Sequence, residues 1–240
     1  MSATGGFVTS GKVAPALDEG ALYRARLGEY VKGRLMRAPG LFKVPAKGLD
    51  LFVLRDFLSA AECAELTRLI DADRRPSGLL ADDPDPEFRT SESCNLSLSE
   101  PINLRVERRI DELLGIDHIC GETIQGQRYA VGQQFKPHHD FFYTDQPYWP
   151  EQERTGGQRT WTAMMFLNQP EAGGQTAFPR AEVKVTPRTG NILIWNNMDE
   201  CGLPNLQSLH QGMPVEAGLK YVITKWYRER PWKQGVPAEY

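Results

Sequence analysis

The sequence predicts an α+β fold in which N-terminal helices support a double-stranded β-helix, or jelly roll. Two patterns carry this reading. Before Gly115, apolar residues recur at helical spacing in three stretches separated by Pro- and Gly-containing turns. After Gly115 the chain breaks into about eight short strand candidates divided by turn residues, the pattern of a double-sheet antiparallel core. The strand candidates are 119–131, 133–140, 161–167, 175–178, 183–186, 191–196, 210–215 and 219–228. There is no internal repeat.

The first helix is expected between Pro15 and Met36, with Leu17, Leu22, Leu27, Val31 and Leu35 inward and Ala38-Pro39-Gly40 as its stop. Residues 1–14 are small and polar and are expected to be loosely docked. A buried strand follows at 49–54. Ser59 and Glu62 then form a Ser-x-x-Glu capping box before a helix carrying Cys63, Leu66, Leu69 and Ile70 inward. Residues 89–98 have strand character. The third helix, 102–114, turns Ile102, Val106, Ile110, Leu113 and Leu114 inward and stops at Gly115. Two stretches rich in Pro, Asp and Gly, 74–87 and 143–157, read as loops that are expected to close over substrate as lids, the second being unusually long.

Composition narrows the function classes. A net charge of -3 gives no case for a nucleic acid or anionic membrane partner. No apolar run approaches the ~20 residues that span a bilayer. Cys63, Cys94, Cys120 and Cys201 are widely spaced, which suits free thiols in a reducing compartment. Met1 to Gly6 carry no basic segment followed by an apolar one, so the expectation is a soluble, cytoplasmic protein.

Chemistry concentrates in Gln134-Phe135-Lys136-Pro137-His138-His139-Asp140. On a strand, residues i and i+2 share a face, so His138 and Asp140 point together and His139 points away. With a distant histidine, for which His210 is the best candidate, they form the two-histidine, one-carboxylate set of non-haem Fe(II) oxygenases. Alone, a His-x-Asp tripeptide also arises by chance. Lys220 stands among Leu219, Tyr221, Val222 and Ile223 in an apparently buried strand, and a buried ammonium needs an anion. A protein carboxylate or a stem reaching solvent would satisfy it equally. Lys225 falls on the opposite face of that strand.

Over residues 48–232 the chain resembles the prolyl 4-hydroxylase branch of the 2-oxoglutarate- and Fe(II)-dependent oxygenases. The resemblance lies in Arg89-Thr90-Ser91, Arg128-Tyr129, Pro137-His138-x-Asp140, Arg159-x-x-Thr162 and Phe166-Leu167-Asn168. It continues through Gly173-Gly174-x-Thr176-x-Phe178-Pro179, Pro187-x-x-Gly190-Asn191, Ser208-Leu209-His210 with Gly212-x-Pro214-Val215, Gly218-x-Lys220, and Thr224-Lys225-Trp226. Each block is short; their joint order is specific.

The resemblance implies that His138, Asp140 and His210 hold Fe(II). It also implies that Lys220 pairs with the distal carboxylate of 2-oxoglutarate, assisted by Tyr129 and Thr176, and that Arg159 and Trp226 line the substrate side. O2 would be the second cosubstrate and ascorbate a candidate reductant. The implied reaction hydroxylates an unactivated C–H bond, with C4 of a prolyl residue in a peptide or protein as the first choice and succinate and CO2 as co-products. A free amino acid or small metabolite is the alternative substrate; a non-catalytic jelly-roll binder is a weaker alternative, since it would need none of these groups. Two substrate-side positions depart from the pattern. Phe135 stands where a tyrosine is common, and Arg228 where some peptide-binding members have histidine. Residues 1–40, without a counterpart, are expected to be a partly helical extension, and 41–240 the oxygenase domain.

Overall fold

The computed structural model describes residues 18–79 and 85–232. Its helices are α1 (Glu19–Leu35), α2 (Ala60–Asp73), α3 (Pro101–Leu114) and α4 (Trp149–Arg154). Its strands are β1 (Leu41–Lys43), β2 (Leu51–Leu54), β3 (Arg75–Pro76), β4 (Glu92–Asn95), β5 (Gln125–Tyr129), β6 (Phe135–His138) and β7 (Arg159–Phe166), followed by β8 (Ala172–Gly173), β9 (Thr176–Phe178), β10 (Val183–Val185), β11 (Ile192–Asn196), β12 (His210–Gly212), β13 (Val215–Ala217) and β14 (Lys220–Arg228).

A large sheet runs in the order β1-β2-β11-β7-β14-β5-β4-β3, and a smaller one in the order β10-β9-β12-β6. The pairings among named strands are antiparallel. The large sheet has both faces buried, so its central strands send alternate residues into two different cores. Ile192 and Ile194 of β11, Trp161, Ala163 and Met165 of β7, and Ile223 and Tyr227 of β14 join the helices in one cluster. Leu193 and Trp195, Met164 and Phe166, and Val222 form the other, inside the jelly roll.

The helices form for local reasons. Asp18 caps α1 by accepting from the Ala21 amide. Ser59 and Glu62 close the capping box of α2 reciprocally, at 2.8 and 3.2 Å. Pro101 opens α3, and Gly115 closes it in the left-handed region at φ 70°. Helix α1 buries Ala21, Gly28, Val31 and Leu35, whereas Leu22 is exposed, contrary to the expected stripe. Leu17 lies outside the described residues, as do 1–14 and 80–84. Val31 and Leu35 enter the main core, and Arg24 bridges to Glu229 at 2.7 Å, so α1 is tied to the rest of the fold.

Several strand candidates are shorter or divided, among them 133–140, since β6 stops at His138 and leaves Asp140 beyond its end. Residues 118–120 make a 3-10 turn, and β5 starts only at Gln125. The stretch 210–215 splits into β12 and β13, because Pro214 has no amide to donate to a ladder. The loop at 143–157 contains α4, with a proline in its first turn and an Arg154–Glu151 pair at 2.7 Å along it.

On the helix side of β14, Lys225 is 1% exposed and meets Glu107 of α3 at 3.2 Å, with Asp111 at 3.9 Å. A Cβ on Gly121 would stand 2.6 Å from Lys225 Cε, so a larger residue there would have to displace the end of that lysine. Removing one partner of such a buried pair leaves an uncompensated charge, which costs about 3–5 kcal/mol. Lys225→Ala should therefore lower the unfolding free energy from urea titration by that amount, and Lys225→Met combined with Glu107→Leu should recover most of it.

Candidate active site

Strands β6 and β12 of the small sheet place the two histidines side by side, since His138 and His210 are register partners. The chain then leaves β6 and carries Asp140 back toward them. Asp140 Oδ1 lies 3.9 Å from His138 Nε2, and Oδ2 lies 3.7 Å from His210 Nε2. One ligand atom from each residue falls within 4.8 Å of the others.

The backbone also fixes which ring nitrogen is free. His138 Nδ1 is 2.8 Å from the Lys136 carbonyl, and His210 Nδ1 is 2.9 Å from the Ser208 carbonyl. A carbonyl can only accept, so each Nδ1 carries the proton and each Nε2 presents its lone pair inward. Burial, then the neighbouring His210, pushes the His138 imidazole down to about 3, so it is neutral as a ligand must be. Burial alone would raise Asp140, but His210 and His138 outweigh it and hold the carboxyl below its ordinary range. Thr162 donates to Asp140 Oδ2 at 2.8 Å and accepts from Asn197 at 2.9 Å, so the carboxylate is braced from behind. His139 turns away, to the Leu206 carbonyl and the Tyr143 hydroxyl.

Lys220 is buried on the inner face of β14, opposite Tyr129 on β5. Its Nζ stands 5.2 Å from the centre of the Tyr129 ring and 5.9 Å from that of Phe166. Among the described residues no carboxylate forms an ion pair with it, and burial pushes its pKa down to about 7. The Thr176 hydroxyl is buried without a partner. Tyr129 spends its proton on Gln127 Oε1 at 2.8 Å. A buried cation and an orphaned hydroxyl on the inner surface of one jelly roll fit the far carboxylate of a dicarboxylate cosubstrate.

The metal cluster opens into a cavity of about 810 Å³. Phe135, Arg159, Trp226 and Arg228 all line it. Phe135 stacks on His138 with ring centres 3.5 Å apart. Arg159 forks onto Glu122 at 2.6 Å through two nitrogens and lies 4.3 Å over Trp226. Arg228 has each of its three nitrogens engaged by protein: Glu122, the Gly157 carbonyl and Gln152. It thereby ties α4 and the following turn to the barrel.

Sequence reasoning did not single out Glu122, the buried counter-ion of two arginines, because one carboxylate in Gly121-Glu122-Thr123 carries no local signal. Of the proposed 74–87 lid, residues 80–84 lie outside the description. Its end is pinned to β6, by Lys136 N to the Phe88 carbonyl at 2.8 Å and Lys136 to Asp85 at 2.6 Å.

Two imidazoles and a carboxylate with other positions open define a non-haem Fe(II) oxygenase arrangement, here on a jelly-roll core. Comparisons with known proteins agree. The description "2OG-Fe(II) oxygenase superfamily" matches residues 124–228. The chain is 32% identical over 207 residues to the prolyl 4-hydroxylase subunit alpha-1 of Rattus norvegicus, covering 81% of this chain and 38% of that one. It is 30% identical to a putative prolyl 4-hydroxylase of Acanthamoeba polyphaga mimivirus, covering 75% of this chain and 74% of that one. The viral collagen prolyl hydroxylase of Paramecium Bursaria Chlorella virus-1, solved as a 2OG complex, superposes with a TM-score of 0.60 at 26% identity, over 74% of this chain and 95% of that one. The chain belongs to the 2OG-Fe(II) oxygenase superfamily, in its prolyl 4-hydroxylase-like branch. Family and cluster together support the use of Fe(II), 2-oxoglutarate and O2. Among the described residues no helix is long and apolar enough to cross a membrane.

His138→Ala should abolish tight binding of one Fe(II) per chain under anaerobic metal analysis, while His139→Ala should retain most of it. The reverse result would mean that the strand register is wrong by one residue.

Proposed function

We propose that this chain is an Fe(II)/2-oxoglutarate dioxygenase that hydroxylates prolyl residues of a peptide or protein, at C4. The observation that carries the reading is the buried Lys220, without a carboxylate partner among the described residues, inside the jelly roll that bears the His–Asp–His cluster. The names of the relatives support the prolyl substrate. Residues 41–240 would form the catalytic domain, with α1 docked against it. Four free cysteines suit a cytoplasmic setting.

His138, Asp140 and His210 would hold the iron, and Lys220 would anchor the far carboxylate of 2-oxoglutarate, with Thr176 and Tyr129 as hydrogen-bonding neighbours. Bound there, Fe(II) with 2-oxoglutarate supplies oxidising power toward an unactivated C–H bond, with succinate and CO2 as co-products. The protein's own part is orientation and dryness. Thr162 and Asn197 keep the Asp140 carboxylate in place, Phe135 backs the His138 ring, and Trp226 offers a flat wall for a ring substrate.

Incubation with Fe(II), 2-oxoglutarate and a panel of proline-containing peptides should add one oxygen to proline, with one succinate per hydroxylation. Hydroxylation confined to free amino acids would replace the peptide reading.

The cosubstrate anchor has its own test. A charge-assisted contact to a carboxylate is worth about 1.5–3 kcal/mol, so Lys220→Ala should raise the 2-oxoglutarate Kd roughly ten- to hundredfold or more. Lys220→Arg should rescue poorly, because a forked guanidinium replaces a point charge. The sign of the pH effect follows from burial. Without the cosubstrate, Lys220 is charged below about 7 and neutral above it. An anion binds the charged form, so binding takes up a proton above that pH. The Kd in anaerobic titrations should be flat below about pH 7 and rise above it by up to about tenfold per unit. That rise should vanish in Lys220→Ala.

A further inference from the structure

The charges around the cavity do not balance. Besides Asp140, its charged walls are Arg89, Glu122, Glu151, Arg159 and Arg228. Glu151 is engaged by Arg154, outside the cavity, at 2.7 Å. Glu122 is the one remaining carboxylate, and it accepts from both Arg159 and Arg228. Three guanidiniums thus face one available carboxylate. Asp140 is committed to the metal under the reading above, and Lys220 faces the cosubstrate end.

Arg89 is where the surplus concentrates. Its three nitrogens reach only neutral acceptors: the Gly78 carbonyl at 3.1 Å, Gln125 Oε1 at 2.7 Å and the Ser91 hydroxyl at 3.3 Å. Among the described residues no carboxylate forms an ion pair with it. Its guanidinium lies 4.7 Å over the Phe135 ring, which also stacks on the His138 imidazole and meets Phe88 edge-on. Phenylalanine gives that cation a flat π-face and no hydroxyl to accept from it. Burial, with Arg159 adding to it, pushes the Arg89 pKa down, against the pull of Tyr129 and Asp140. Arg159 itself has two nitrogens on Glu122 and the third without a hydrogen bond. Arg89 is only part-buried, but a cation in a cavity wall with neutral partners alone is open to an anion, and a guanidinium is the side chain best shaped to grip a carboxylate.

We propose that the substrate brings a carboxylate into this cavity, held by Arg89 with Arg159 beside it, close to the carbon that is hydroxylated. The inference rests on the oxygenase reading of the site and narrows its substrate to an anionic prolyl compound. The carboxylate has two possible sources, the free α-carboxylate of a terminal or free residue, or an acidic side chain next to the target.

Matched pairs separate them. The full chain, loaded with Mn(II) and 2-oxoglutarate without O2, is titrated calorimetrically with peptides whose central proline is flanked by Asp or Asn. Peptides ending in proline as acid or amide, and L-proline against L-prolinamide, follow. The same pairs are then scored for oxygen gain under turnover. In one pair the acid member should bind roughly ten- to hundredfold tighter, and that pair identifies the source. Arg89→Gln should bring the acid member to the level of its neutral partner and change the neutral one little, while Arg89→Lys restores part of the gap. Equal binding in every pair of the wild-type chain overturns the inference, as does an Arg89→Gln loss that is uniform across both members. In both cases 2-oxoglutarate binding and succinate formation persist, so the oxygenase reading stands. Failure to bind 2-oxoglutarate at all would instead overturn that reading, and this inference with it.

Discussion

Strand β14 runs between two cores, and its two-residue period decides what each of its side chains can be. Val222, Thr224 and Trp226 share the jelly-roll side with Lys220; Tyr221, Ile223 and Tyr227 share the helix side with Lys225. Both lysines are almost fully buried, at 2% and 1% exposure. The outward one finds Glu107 and Asp111 waiting on α3. The inward one finds aromatic rings and no carboxylate. A slip of one residue would turn each lysine to the opposite face, leaving Glu107 and Asp111 without their cation and the jelly-roll pocket without its own. The pairing of β14 with β5 and β7 is therefore what keeps structure and chemistry apart.

The metal cluster is built by the same kind of constraint on the opposite sheet. Cross-strand pairing of β6 and β12 sets the distance between the imidazoles, and backbone carbonyls two residues back along the chain from each set their tautomers. Neither depends on a mobile side chain. Only Asp140 leaves the ladder, and it is held by the Thr162–Asn197 chain from β7 and the turn after β11. Rigid elements thus position every ligand atom, which limits the reorganisation needed when a metal binds.

What the sequence made legible follows from this. The opposite facing of Lys220 and Lys225 could be read because alternation on a strand is a local rule; His138, Asp140 and His210 could be read from a short His-x-Asp spacing and the resemblance, although β6 ends at His138 and Asp140 lies beyond it. The three long helices could be read from caps and apolar spacing, although Leu22 shows that one turn of a stripe can miss the core. The loop at 143–157 was read as structureless because α4 is short and mixed in composition. Its order comes instead from distant contacts, through Arg228 to Gln152 and the Gly157 carbonyl. Glu122 escaped for a related reason: its role exists only when Arg159 and Arg228, 37 and 106 residues later in the chain, converge on it. Arg228 shows the limit of a local reading, since it lines the cavity while its polar atoms serve the scaffold.

The two ends of the site solve opposite electrostatic problems. At the cosubstrate end a single point charge sits in a pocket otherwise aromatic or neutral, so one anion suffices and a second would be unpaired. Its cost falls on the ligand-free protein, where a buried ammonium weakens the fold, and is relieved only by binding. At the substrate end the protein already spends Glu122 on two arginines, which removes most of their cost and leaves them rigid. Arg89 lies outside that arrangement, propped by neutral oxygens and the Phe135 face. A fully compensated network would have held the cavity walls equally well. Among the described residues of the cavity wall, Arg89 has no acid as an ion-pair partner, and on the proposal above that place is kept for what enters the cavity.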